Sequence, residues 1–238
     1  MIPPVVPERF KHHRFPGEII SHGVWLYYRF PLSYRDVQEL LCERGIDVTH
    51  EAICQWCRKC GQDDANQLKR RRPRPGDTWH RDEVFLTIHG KRHDLWRAVD
   101  QDDHALDMLV QNRRNKQAAK KVVRKLLKGL HYVPRVLITD KRKSYGAAKR
   151  ESLPRVEHRQ SRSLNNRCEN SHCPTRQRER CMQGCKSAGQ VQRSLVALGP
   201  LSQHFRPRRH LQSASVYRDE MKNRCESWAE ITGTQRAA

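Results

Sequence analysis

The sequence predicts an α/β catalytic domain behind an all-helical N-terminal region. Three observations carry this. Apolar residues recur at helical spacing up to about residue 61, and the period changes to two from Thr78. A short, wholly apolar run, Val136, Leu137 and Ile138, then follows an amphipathic stretch of helix length. A buried strand reached through a helical crossover pairs parallel, so the sheet is expected to be mixed.

The 238 residues suffice for one domain of ordinary size and a smaller one. Lys and Arg exceed Asp and Glu by 47 − 26 = 21, an excess that attracts a polyanion, nucleic acid before anionic membrane. The best apolar stretch, 19–30, is interrupted by Ser21, His22 and Arg29 and falls short of the roughly 20 residues a membrane span requires. The N-terminus, with Lys11, His12, His13 and Arg14, has no apolar secretory core, so a cytoplasmic location is expected. The nine cysteines are then expected to be reduced.

In order along the chain, Ile19, Ile20, Val24, Trp25 and Tyr28 give a first helix that Pro31 stops. Ser33 and Asp36 form a capping-box pattern for a second, 34–44, and Gly45 suits its C-cap. Thr49 caps a third helix with Ile53, Trp56, Cys57 and Cys60 on one side and Gly61 at its end. The N-terminal region is therefore drawn as 1–61, with a helix-turn-helix at about 33–60, a DNA-binding unit or a helical hairpin that merely packs. Residues 62–76 read as an extended basic linker, because Lys69, Arg70, Arg71, Arg72 and Arg74 alternate with prolines. The catalytic domain is drawn as 77–205, with strands at 78–88, 92–99 and 105–111, a basic-faced crossover helix at 115–128, the apolar strand, a further strand at 156–160 and a basic helix at 166–186. Residues 206–238 read as a basic, partly helical tail.

Three carboxylates draw attention. Alternation sets Asp82 on the face shared by Val84, Leu86 and Ile88, where a carboxylate is costly unless paired or bound to a cation. An ion pair with Arg92 or Arg97 across the hairpin is the ordinary alternative. Asp140 lies just past the carboxyl end of the apolar strand, where open α/β sheets place ligands, or else it makes an Asx-turn. Glu169 follows Asn166 by three positions, so it is either a site residue or a capping-box partner. Converged on one face, the three offer hard oxygen donors suited to two Mg²⁺ or Mn²⁺ ions and in-line phosphoryl displacement. His172, Arg176 and Arg180 follow Glu169 at helical spacing and are expected to hold DNA phosphates.

The runs Gly76 to Val84, Leu95 to Asp100, Arg113 to Lys116, Thr139-Asp140-Lys141, Val156 to Gln160, Asn165 to Asn170 and Phe205 to Arg208 resemble the insertion sequence six family of transposases. The resemblance extends from about Arg14 to Gly233. It implies a ribonuclease H-like core behind the helix-turn-helix, with Asp82, Asp140 and Glu169 as the acidic triad and Arg176 as the basic residue two turns on. It also implies a homodimer or larger assembly on paired terminal inverted repeats, 3′-end cleavage, and strand transfer into target DNA giving a cointegrate. Lys141, Lys143, Thr49, Lys69, Arg70, Arg71 and Arg72 are further expected DNA contacts. The chain departs from the family pattern at Arg81, Asp94, Cys168, Gly184 and Cys185, so a catalytically inactive, DNA-binding copy is the alternative. Cys54, Cys57 and Cys60, and Cys168, Cys173, Cys181 and Cys185 with His172, raise zinc as a third possibility, although helical spacing does not wrap a tetrahedral ion.

Overall fold

Ser33 and Thr49 start two helices for the same reason: each side-chain oxygen accepts a backbone N–H that a first helical turn leaves unpaired. In this computed structural model Asp36 N donates to Ser33 Oγ at 3.1 Å while Ser33 N donates to Asp36 Oδ2 at 2.8 Å, completing the capping box. Ala52 N donates to Thr49 Oγ1 at 3.3 Å. The structure describes every residue except 1–7, 73, 112–115, 141–152, 162, 166–167, 169–171, 182–186, 208–211 and 235–238, and leaves out the side chains of 116, 118, 119, 121, 122, 163 and 174. The chain divides into two units, Met1–Arg72 with Ala197–Ala238, and Pro73–Val196.

In the first unit α1 (Gly17–Arg29), α2 (Tyr34–Cys42) and α3 (His50–Arg70) bury Ile20, Val24, Val37, Leu41, Ile53 and Trp56. Gly45, at φ 74°, turns the chain after α2, where Ile46 N donates to Leu41 O. His50 N donates to Gln38 Oε1 at 3.0 Å, tying the start of α3 to α2.

Two sequence expectations are corrected in this unit. First, α3 does not end at Gly61 but continues to Arg70, so residues 62–70 are helix rather than extended linker. Gly61 serves close approach: a Cβ there would lie 2.6 Å from Tyr28 Cε2. The buried stripe continues through Asp64, Ala65 and Leu68, and it was hidden because Asp64 looks like a solvent residue. Arg9 Nη2 meets Asp64 Oδ1 at 2.6 Å, while Arg9 Nη1 donates to Ile231 O. Second, the tail, expected to be partly helical, has its helix in α7 (Ala214–Thr232), capped by Ser213 and closed by Gly233 at φ 67°, but with Trp228 and Ile231 buried it is part of this unit rather than a loose tail. It packs against α3, and Arg71 pairs with Glu230 at 3.0 Å. Helix α6 (Ala188–His204) passes into this unit at Ala197, where the Phe205 ring meets Trp25 and Trp228 edge-on. The division between the two compact units falls after Val196, within α6.

Burial pushes the Asp64 carboxyl up to about 6, with Arg9 opposing the shift. A carboxyl whose folded pKa exceeds its unfolded value of about 4 lends stability below that value and loses it as pH rises through the folded pKa. Thermal melts between pH 4 and 6 should show wild-type stability falling relative to Asp64→Asn as pH rises. Parallel pH profiles for the two proteins would contradict this assignment.

In the second unit, β1 (Thr78–Ile88), β2 (Lys91–Asp100) and β3 (Ala105–Gln111) form an antiparallel meander. His89 and Gly90, at φ 50° and 73°, make its first turn. After α4 (Lys116–Leu130), β4 (Val136–Thr139) pairs parallel with β1 and β5 (Glu157–Gln160) pairs parallel with β4, giving the order β3-β2-β1-β4-β5. This is the mixed ribonuclease H-like sheet. One face packs Trp79, Trp96, Ala98, Leu106 and Leu137 against Val123 and Leu126 of α4. On the other, Leu86 shares a small cavity with Thr175, Val191 and Leu195. Gln192 covers the edge strand, donating to Met108 O at 2.8 Å and accepting from Val110 N at 2.7 Å.

Candidate active site

The parallel register of β1 and β4 sets Arg81 opposite Thr139. Asp82 and Asp140 are the next residues along the two chains, and one further step in that register would set them side by side across a strand spacing of about 4.8 Å. Because Trp79 and its partner Leu137 face α4, the pleat turns Asp82 and Asp140 together to the opposite face. Asp82 keeps 13% of its side chain exposed there. On its other side stands Arg97, its antiparallel partner on β2, buried and with Nη1 3.5 Å from Met108 Sδ. Arg92 does not serve Asp82; its guanidinium lies over the Phe85 ring.

Glu169 lies outside the described residues, as do Lys141 and Lys143. The residues on either side of Glu169 nevertheless meet the same strand pair. Cys168 Sγ is 3.7 Å from Arg97 O, and His172 Nε2 is 3.5 Å from Asp82 Oδ2. Just before them, Asn165 Nδ2 donates to Arg81 O at 3.1 Å. Sequence reasoning missed the roles of Asn165 and Cys168, whose anchoring partners are backbone carbonyls that no motif displays.

The expected continuous helix over 166–186 is corrected. His172 stands in a turn, and α5 spans Cys173–Cys181. Pro174, with no backbone N–H to donate, suits the first turn of a helix rather than its interior. His172 O accepts the first bond of α5 from Arg176 N at 3.0 Å. His172 is therefore not a surface cation as expected: its side chain is 1% exposed. Burial is the main cause holding its pKa below the ordinary value, with Arg97 and Arg176 adding to this and Asp82 opposing, so the ring is neutral at pH 7. Arg176 and Arg180 are exposed on α5.

Among the expected DNA contacts of the other unit, Thr49 is exposed at its cap, Arg70 and Arg71 are exposed, and Lys69 and Arg72 are half-buried. The cysteines do not assemble a zinc site among the described residues. Cys57 and Cys60 face the core, and Cys173 is exposed. Asp100, Asp102 and His104 do come together, but as a hairpin closure: Asp100 Oδ1 accepts from the N–H groups of Asp102 and His104, both at 2.9 Å. Burial raises the Asp100 pKa, and the bonds from His104 and Asp102 outweigh it, leaving the group below its usual range.

Two departures from the family pattern do not intrude on the carboxylates. Arg81 points to the α4 face, where its guanidinium lies 4.6 Å from the Trp96 ring centroid. Cys168 is buried on the Arg97 carbonyl, where a small side chain suffices.

Residues 76–208, more than half of the chain, match the DDE-domain family of IS240-type transposases. The chain is 30% identical over 168 residues to the transposase for insertion sequence-like element IS431mec of Staphylococcus aureus, covering 68% of this chain and 75% of that protein. Over the same length it is 29% identical to the transposase for insertion sequence element IS257 in transposon Tn4003 of the same organism, covering the same shares of each chain. Among solved structures it is similar to the HTLV-2 integrase catalytic core domain in complex with magnesium (dimeric form), at 13% identity and a TM-score of 0.33 over 41% of this chain and 67% of that one. The family match and the staphylococcal relatives identify the lineage: the chain belongs to the DDE transposases of the IS240 and insertion sequence six family, enzymes of polynucleotide phosphoryl transfer.

Proposed function

We propose that this transposase binds the terminal inverted repeats of its own element, cleaves their 3′ ends and joins them to target DNA, giving a cointegrate. The observation that carries the proposal is the parallel β1/β4 register, which pairs Arg81 with Thr139, the residues immediately before Asp82 and Asp140, in a sheet whose β1 the cationic α5 adjoins. Asp82, Asp140 and Glu169 are the residues that would hold Mg²⁺ or Mn²⁺, because an all-oxygen donor set suits hard cations, and two ions match the three carboxylates. Once bound, the ions supply Lewis-acid polarisation of the phosphodiester and a more acidic attacking hydroxyl or water.

The chain's own residues do the rest. Arg176 and Arg180 contact the phosphates next to the scissile bond, with Lys141 and Lys143 following Asp140. In the helix-turn-helix, α3 exposes Gln55, Arg58 and Lys59 beyond the Thr49 cap, a polar face dimensioned for a major groove. Lys69, Arg70, Arg71 and Arg72 hold flanking phosphates. A homodimer or larger assembly pairs the two ends, in the cytoplasm at the nucleoid. The inactive-copy alternative gains nothing from Arg81 or Cys168, since neither side chain lies between the aspartates and solvent.

The test is incubation of the purified chain with a plasmid carrying the element's two ends. Nicking at the 3′ ends in Mg²⁺ or Mn²⁺, absent with EDTA, is expected; repeat binding without nicking in either metal would reject the enzymatic assignment. Arg58→Ala should weaken repeat binding by about 1–3 kcal/mol if it reads a base, or lower the salt slope by about 1 if it holds a phosphate. Unchanged affinity across salt concentrations, measured by fluorescence anisotropy, would remove α3 from the interface.

A further inference from the structure

His172 touches the centre without being one of its carboxylates. Its ring is enclosed, and Nε2 stands 3.5 Å from Asp82 Oδ2. Neither ring nitrogen makes a hydrogen bond among the described residues, and the 3.5 Å approach to Asp82 is a contact rather than a formed bond. The turn that holds it is fixed from both sides: Cys168 is seated on Arg97 O, and α5 begins on the His172 carbonyl. Asp82 faces Arg97 across the β1/β2 pair and His172 from above the sheet.

We propose that His172 is a positioning residue that donates its Nε2–H to Asp82 Oδ2, fixing the carboxylate so that Oδ1 is presented to the metal. The inference rests on Asp82 being a metal ligand. The donated N–H orients the carboxylate and leaves its charge available to the cation. With Nε2–H directed at Asp82, Nδ1 is the ring's acceptor.

The experiment is titration of the full-length chain with Mn²⁺ in the absence of DNA, reading free Mn²⁺ by electron paramagnetic resonance. Wild type is compared with His172→Gln, which keeps an N–H donor, His172→Phe, which keeps the volume without a donor, and Asp82→Asn. His172→Phe should raise the half-saturating Mn²⁺ concentration about 10-fold or more, and His172→Gln should stay within about 3-fold of wild type. Should the Phe variant not fold, His172→Met takes its place as the donor-free side chain. Wild-type Mn²⁺ binding by the donor-free variant would overturn the proposal. So would equal weakening by Gln and Phe, because then packing rather than donation matters. Loss of Mn²⁺ binding in Asp82→Asn alone upholds the metal centre while rejecting His172; unchanged binding in Asp82→Asn rejects both.

Discussion

Asp82→Asn should abolish metal-dependent strand cleavage, lowering the rate on the order of 10³-fold, while repeat binding persists. The substitution preserves side-chain shape and removes a negative oxygen donor, so its effect falls on the cation rather than on the fold. A divalent ion in a phosphoryl-transfer site contributes several kcal/mol of transition-state charge stabilisation, and each 1.36 kcal/mol is a factor of ten in rate. The β1 backbone is held by β2 and β4 on both sides, so an amide at 82 leaves the sheet register intact. Asp140→Asn and Glu169→Gln should show the same pattern if each removes one donor from the same cation. Nicking assays beside anisotropy with repeat DNA separate the two functions. Residual nicking of Asp82→Asn above about a tenth of wild type would be inconsistent with a direct ligand.

The largest effect on stability should come from Trp96→Ala. Trp96 is 0% exposed at the centre of the α4 face and carries the Arg81 guanidinium on its ring. Truncating a buried Trp costs about 3–5 kcal/mol in lost contacts and residual cavity. Here the change also strips the aromatic cover from a buried cation. In a unit of this size the melting temperature should fall by roughly 10 °C or more. Trp96→Phe, which keeps a ring beneath Arg81, should recover part of the loss. Leu164→Ala, at an exposed position, should stay within about 0.5 kcal/mol of wild type. Equal melting temperatures for Trp96→Ala and Leu164→Ala would show that the α4 face is not the core of this unit.

Strand pairing was legible from the sequence because alternation and crossover length constrain it directly. Ala105 to Gln111 stands where its period-two pattern put it, and the apolar run ending at Thr139 became β4, the strand paired parallel with β1 and β5. The Ser33 and Thr49 caps were equally legible, because capping chemistry is local. What failed depended on distant partners. Gly61 looked like a helix end until Tyr28 supplied the reason for its missing Cβ. Asp64 looked solvated until Arg9 reached it from 55 residues away. The burial of Trp228 and Ile231 in the partly helical tail depends on partners as distant as Phe205 and α3. Within the site, Asp82 and Asp140 could be paired from topology alone, whereas the burial of His172 could not. Its position turns on α5 starting at Cys173, with Pro174 in its first turn, which spacing from Glu169 does not reveal.

The central claim is that Asp82, Asp140 and Glu169 surround one divalent-metal centre. Fe²⁺ with ascorbate, added to the full-length chain in place of Mg²⁺, generates hydroxyl radicals at the bound ion and cuts the backbone nearby. Mass spectrometry of the fragments should place the cuts around residues 82, 140 and 169, all suppressed together by excess Mg²⁺. Cuts confined to the 100–104 hairpin, or cuts at 82 and 140 without one near 169, would contradict it.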